Sequence, residues 1–303
     1  MPNSTGSSAE QQRATAIGSS FILLGSLAAL WTSYIQHTPP FLAAGLVLAI
    51  GFSCFLTRWI ITGAPWQGYF WQPLKVWLLG LYGIPTYFAL YTASMQTASV
   101  IEANLLNYIW PVTLVVTAVL LDRKSLKWFQ FCGLVACMIG MVILALSRLP
   151  QGLPLHWQTG HSLALVGGLI WGSYSALARR FSMIDSNVTG VFFGMAALVL
   201  LLLSVMTEKW PPIAQWDFLP ILTGGIIVQW NFYAWDIGMK KGNAQLLGVA
   251  AYLMPFLSLT WLVLFGRGTV TSAIFLAAFF VIGGAVLAGF DRVQAVWAKR
   301  KRI

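Results

Sequence analysis

NLLNYIWPVTL, residues 104–114, sets two amides, a tyrosine, a tryptophan and a proline into a run whose other members are Leu, Ile, Val and Thr. Helical positions i, i+3, i+4 and i+7 share a face, so Asn104, Asn107, Tyr108 and Pro111 form one stripe with Trp110 at its edge. Pro111 carries no N–H for the Asn107 carbonyl, which predicts a bend and a free acceptor there. Amides and a carbonyl facing hydrocarbon would stay unsatisfied, so the stripe is expected to face protein or a wet cavity. Contact with a neighbouring helix is the plainer account of any one of these residues. Their concentration on one face favours a cavity.

Hydrocarbon is the right reference because of the rest of the chain. Of 303 residues, 58% are hydrophobic and 9% charged, and the mean hydropathy is +0.76. That balance excludes an ordinary soluble domain and makes the lipid bilayer a partner. Charges, prolines and glycine clusters cut the chain into ten apolar segments, near 15–34, 40–62, 75–95, 98–121, 127–147, 162–180, 188–206, 217–238, 242–265 and 271–291. A span takes about 20 residues, so the sequence predicts an all-α integral membrane protein of ten transmembrane helices. The weakest division is MQTAS at 95–99. With the N-terminus inside, 15 of the 18 Lys and Arg fall on the cytoplasmic side, leaving only Arg148, Lys209 and Arg267 outside. The positive-inside rule then puts both termini in the cytoplasm. The net charge of +10 becomes a topology signal, and nucleic acid drops out as a partner.

Residues 1–13 are polar and small and read as a disordered cytoplasmic N-terminus, without the basic region or cleavage site of a signal peptide. A first five-helix repeat is expected over 14–147, a loop over 148–161, a second five-helix repeat over 162–291 and a basic cytoplasmic tail over 292–303. Sliding one half over the other by 144 positions aligns Phe88 with Phe232, Tyr108 with Tyr252, Pro111 with Pro255 and Gly140 with Gly284. A nearby offset aligns LLGSLAA at 23–29 with IWGSYSA at 170–176. Because five is odd, the second half starts from the opposite side. The prediction is two inverted repeats around a central cavity, with substrate bound near the midplane and the two prolines as hinges.

Other candidates join the stripe. Tyr87 and Tyr91 lie one turn apart on the third helix, and the repeat offset makes Asn231 and Trp235 their counterparts. The sixth helix adds Trp171 with Tyr174 and Ser175, and the ninth adds Tyr252. Trp59, Trp66, Trp71, Trp157, Trp210 and Trp216 read as interfacial anchors near span ends. Glu102 and Asp236 are the carboxylates expected within helices, each in a surface or ion-paired role, so proton antiport is not indicated and facilitated export stays open. His37, His156 and His161 fall in expected outer loops with no carboxylate or cysteine cluster beside them, and Cys54, Cys132 and Cys137 read as small hydrophobes. No metal or cofactor is implied.

Ten helices as five plus five, WGSYSA at 171–176, the short link at 95–99 and the paired Pro111 and Pro255 resemble the drug/metabolite transporter superfamily, in its EamA-type branch. The tyrosines of the third helix, NYIWP at 107–111 and a total of 15 tryptophans resemble, more narrowly, the YddG-type aromatic amino acid exporters. The resemblance implies an inner-membrane exporter of aromatic amino acids and related small amphipathic metabolites, working by alternating access; the sequence leaves the oligomeric state open, a monomer included. The resemblance also supplies the direction of transport. Two alternatives remain: an exporter of another substrate class, such as drug-like or purine-type compounds, and a membrane-embedded enzyme. A sugar-phosphate carrier is disfavoured because the basic residues sit at helix ends and in loops, and an enzyme because no nucleophile, base or metal cluster is visible.

Overall fold

The computed structural model describes residues 8–35, 37–98, 100–123, 127–146, 157–210, 212, 215–266 and 272–288. Residues 1–7 of the expected N-terminal segment, most of the 148–161 loop with His156, the 292–303 tail and the side chain of Glu102 lie outside the described residues. Among those described, the regular structure is helical throughout.

The helices are α1 (Ser8–Gly25), α2 (Ala28–Thr32), α3 (Pro40–Ile61), α4 (Gln67–Phe70), α5 (Leu74–Gly83), α6 (Pro85–Thr97), α7 (Val100–Asn107) and α8 (Trp110–Leu121). There follow α9 (Trp128–Leu146), α10 (Thr159–Ala178), α11 (Val188–Thr207), α12 (Gln215–Lys241), α13 (Ala244–Ala250), α14 (Met254–Leu264) and α15 (Ser272–Ala288). By length and hydropathy, five stretches among the described residues are able to cross a membrane: Ala9–Thr32, Pro40–Ile61, Leu74–Thr97, Val188–Thr207 and Leu246–Leu264. Large apolar side chains such as Leu198, Leu202, Phe275 and Phe279 point outward and exposed, as lipid permits and water does not. α1 begins at Ser8, inside the segment expected to be disordered, because Ala, Glu, Gln and Arg at 9–13 favour helix and continue into the apolar run.

Several apolar segments hold two short helices instead of one continuous rod, and each break has a local cause. α1 stops at Gly25 and α2 restarts at Ala28. Pro85, Pro111 and Pro255 each stand at the first positions of a new helix, α6, α8 and α14. A proline there gives up no hydrogen bond of the helix it begins, whereas in mid-helix it would remove one and clash with the turn before. Tyr108 and Ile109 turn between α7 and α8, and a single 3-10 turn, Ala251–Leu253, joins α13 to α14. The prolines expected to bend two helices therefore divide them.

Glycines set the close contacts. α1 meets α12 backbone to backbone, with a methyl built on Gly18 only 2.8 Å from the Gly238 Cα. α3 packs antiparallel on α11: Gly45 lies against Leu201 and Gly51 against Phe193. α9 and α15 pair in the same sense through Gly140, set against Ala277 and Val281, and Gly284, set against Gly133 and Cys137. At the centre of that pair the Cys137 thiol donates to the Val281 carbonyl at 3.4 Å. Gly140→Leu should therefore lower stability by about 1–3 kcal/mol through overpacking against the backbone of α15. Gly283→Ala, one residue from Gly284 but with nothing within 4 Å, should hold or slightly raise stability, because alanine favours helix where nothing obstructs it. Thermal unfolding of both variants in the same detergent checks this, and equal melting would remove close packing at Gly140 as a stabilising feature.

Candidate substrate site

The aromatic side chains picked from the sequence converge on Trp171, in the middle of α10. Its indole stacks on Tyr87 (ring centroids 5.3 Å apart, 30° between planes) and on Tyr174 one turn along its own helix (5.6 Å, 29°). Phe232 of α12 lies 4.8 Å away. Trp110 stands edge-on to both Trp171 (6.4 Å) and Trp235 (5.6 Å), and Phe21 of α1 lies against Trp235 at 4.4 Å. Tyr91 continues the stack beyond Tyr87 at 5.7 Å, with the rings 6° from parallel. Helices α1, α6, α8, α10 and α12 thus each contribute a ring to one cluster.

Polar groups line one side of it. The Tyr91 hydroxyl donates to Asn104 Oδ1 at 2.5 Å, and Asn107 Nδ2 reaches the Tyr87 hydroxyl at 3.4 Å. Asn107 Oδ1 is buried and accepts no hydrogen bond. The Trp235 indole N–H donates to Ser175 Oγ at 3.0 Å, both groups being buried. Tyr108 is half-buried and touches both this cluster and a second one formed by Val115, Leu134, Cys137, Met141, Tyr252 and Val281.

The expected stripe is thus assembled, with four differences. First, the cavity meant to lie among these rings is filled by them: the space bounded by Trp171, Ser175, Phe232 and Trp235 is about 10 Å³, room for about one water. Second, the Asn107 carbonyl is covered, since a methyl built on Gly168 of α10 would sit 2.5 Å from its oxygen. Third, Asn231 serves α1: with its amide oriented to satisfy both groups, it donates to the Phe21 carbonyl (3.2 Å) and accepts from the Gly25 N–H (3.3 Å), at the last turn before that helix breaks. Fourth, Tyr252 belongs to the second cluster, away from Trp171, and its hydroxyl has no hydrogen-bond partner.

Sequence reasoning also misplaced some polar residues. His161 is buried in the first turn of α10, where its Nδ1 accepts the Gln158 N–H at 2.8 Å in a capping box, not in an outer loop. Trp59, expected at an interface, is 1% exposed and donates to Asn187, whereas Trp71, Trp157 and Trp216 are exposed as anchors should be. Two carboxylates went unremarked. Glu208 accepts the N–H groups of Phe41 and Leu42 (2.8 and 3.0 Å), the hydroxyl of Ser204 and the amide of Gln96. Asp217, fully buried in the first turn of α12, accepts from the His37 N–H and the Thr38 hydroxyl. A proline-led helix start with no side-chain cap of its own was the signal for Glu208, because α3 begins at Pro40 and its first N–H groups need acceptors from elsewhere; Asp217 instead holds the two residues ahead of Pro39. Asp236 forms the expected ion pair, with Lys240, but inside the protein.

Comparison with known proteins agrees with this architecture. The EamA-like transporter family matches the chain twice, over residues 14–146 and 158–290. The aromatic amino acid exporter YddG of Ancylobacter novellus is 33% identical over 279 residues, covering 91% of this chain and 96% of that protein. The Salmonella typhimurium protein of the same name is 25% identical over 55% of this chain and 59% of its own. One crystal structure superposes on 92% of this chain and 98% of its own with a TM-score of 0.84 at 31% identity. The chain belongs to the EamA-like transporter family and is an integral membrane transporter, not an enzyme.

Proposed function

We propose that this transporter exports aromatic amino acids and related small amphipathic metabolites across the inner membrane by alternating access. The observation that carries this is the ring cluster around Trp171, because contacts between aromatic rings are contacts that an aromatic substrate can replace one for one. The names of the relatives point the same way. Tyr87, Tyr91, Tyr108, Trp110 and Trp171 are the rings of the site. Asn104 and Asn107 are its amides, and Asn107 Oδ1 is a buried acceptor with no hydrogen-bond partner of its own. Asn231 and Tyr252 stand behind this lining as supports. The filled centre is the state in which neither side has access.

Ten spans in two inverted repeats, over 14–147 and 162–291 with the 148–161 loop between them, fit this reading. Its support is geometric. Phe88 and Phe232, equivalent under the 144-residue offset, pack on each other at 5.2 Å, and so do Cys137 and Val281. The contacts of Gly140 with Ala277 and of Gly284 with Gly133 exchange under the same offset. Such self-matching contacts arise where a local two-fold axis passes through the molecule. The charge distribution then assigns both termini to the cytoplasm.

Flux into proteoliposomes of purified protein tests the substrate class. Phe and Trp should be carried in preference to drug-like cations, and Trp171→Ala should reduce Phe flux by about tenfold or more, a loss of about 1.4 kcal/mol or more in the barrier. Undiminished Phe flux in Trp171→Ala would remove the ring cluster as the site, and a preference for cations would favour the drug-like alternative. The hinges are tested separately. Pro111→Ala and Pro255→Ala should each let two short helices fuse, which holds or raises the unfolding temperature while flux falls. Affinity for Phe should change little in either variant, because the Asn107 carbonyl already lies beneath Gly168. Wild-type flux in both variants would make the prolines mere breaks.

A further inference from the structure

A buried ion pair lies beside the ring cluster, and packing does not account for it. Asp236 and Lys240, one turn apart on α12, meet at 2.7 Å between Oδ2 and Nζ, with side chains only 6% and 7% exposed. Lys240 also donates to the Ile184 carbonyl at 3.1 Å. Burying two charges costs several kcal/mol per ion, and apolar residues of the same size are often as stable or more so. Stability alone therefore gives no reason for the pair.

Its position gives one. A cavity of about 30 Å³ opens between α5, α10, α11 and α12, bordered by Gly80, Ala178, Ile184, Phe192, Asp236 and Lys240. Asp236 also borders the small space under Trp171, Phe232 and Trp235, and Tyr174, Ala178 and Thr189 wall both. One carboxylate thus faces a charged chamber on one side and the aromatic cluster on the other. Sliding α10, which carries Tyr174 and Ala178, away from α12 would merge the two spaces.

We propose that the Asp236–Lys240 pair is a binding subsite for the zwitterionic head group of an α-amino acid, reached before the ring enters the Trp171 cluster. This rests on the functional reading above and identifies where the head group is held. The substrate ammonium pairs with Asp236 and its carboxylate with Lys240, so four charges alternate in a ring and the net charge buried stays zero. The pair can accept this without dissolving. A carboxylate offers about four lone-pair sites and an ammonium three N–H donors; Lys240 gives one of its donors to the Ile184 carbonyl, and its contact with Asp236 Oδ2 is an ion pair without hydrogen-bond geometry, so both groups keep capacity for a ligand. A ligand with only one of the two charges would leave an uncompensated charge in the chamber. The subsite therefore selects amino acids over amines and over acids that carry the same ring.

Competition against labelled Phe in proteoliposomes tests this on the wild-type protein. Phenethylamine, which lacks the carboxylate, and 3-phenylpropionate, which lacks the ammonium, should each compete at least about tenfold more weakly than Phe, since hydrogen bonds to charged groups are lost. The double variant Asp236→Asn/Lys240→Gln removes both charges and leaves neither unpaired. It should bind Phe at least about tenfold more weakly and lose its discrimination among the three compounds, and Lys240→Arg should keep both properties. A merely structural pair would change the unfolding temperature and leave the ranking of the three compounds intact. That ranking preserved in the double variant overturns the subsite. If the double variant does not fold, equal competition by all three compounds at the wild type overturns it instead. A wild type that carries no Phe at all overturns the functional reading, which is a different result from a wild type that carries Phe with no contribution from the pair.

Discussion

Every proline that divides an apolar segment of this protein removes a backbone donor where no water is at hand to replace it, and the local fold is arranged around the carbonyl left over. Three solutions recur. Opposite Pro85 the Leu81 carbonyl accepts the hydroxyl of Thr86 at 2.9 Å. Opposite Pro255 the Ala251 carbonyl takes the N–H of Met254, tightening the chain into a 3-10 turn. Opposite Pro111 the Asn107 carbonyl lies against Gly168, where any side chain would collide with it, so α10 must approach α7 and α8 with a glycine at the contact. Gly172 repeats this one turn on, 2.3 Å from the Trp110 carbonyl by the same construction. That approach carries Trp171, between them, onto Tyr87 and Trp110. The ring cluster follows from the demands of a broken backbone.

A site built from rings that pack on one another in the absence of substrate has a particular energetic character. Each aromatic pair is worth about 0.5–1.5 kcal/mol beyond the area it buries, and opening the centre gives up several such pairs. An aromatic substrate restores contacts of the same kind, so opening costs less in its presence than in the presence of an aliphatic one. On the proposed reading, selectivity for rings lies in this exchange, and selectivity for the amino acid head group lies in the charges and amides around it. A site too favourable for its substrate would hold it, and replacing like with like avoids that trap.

The helical, apolar character of the chain and the polar stripe were legible in the sequence because hydrocarbon leaves the chain few choices: a run of Leu, Val and Ile must be helical, and Asn104 and Asn107 must face away from lipid; where each helix stops was not, since single apolar segments divide into two helices. Which acceptor meets which donor was not legible. Asn231 was identified by its 144-residue offset from Tyr87, but the break at Gly25 that it bridges depends on α1 passing within reach. Nothing in the sequence around Glu208 and Asp217 sets them apart, yet Glu208 accepts N–H groups at the start of α3 and Asp217 ties His37 and Thr38 just ahead of it, each from more than 160 residues along the chain. Tyr252 lies at the 144-residue offset from Tyr108, yet it meets the second of the two clusters that Tyr108 touches and not the one around Trp171, because periodicity fixes the face of a helix and tertiary packing decides what that face meets.

That last difference bears on how two similar halves do different work. In the first half the break before Pro111 follows Asn104 and Asn107, amides that bond Tyr91 and Tyr87. In the second half the residues at the same offsets are Gly248 and Ala251, with no hydrogen-bonding side chain to offer. Gly248 instead receives Leu114 and Val115 of α8, so the second break packs against the helix that follows the first. On the proposed reading, a substrate polar at one end and apolar at the other is recognised by one half while the other moves with it. Strict symmetry would supply two polar stripes, and two sets of amides to satisfy in every state. On that reading, having one set leaves α13 free to shift against α8 on the apolar contacts of Gly248 with Leu114 and Val115, which carry no directional bonds to break.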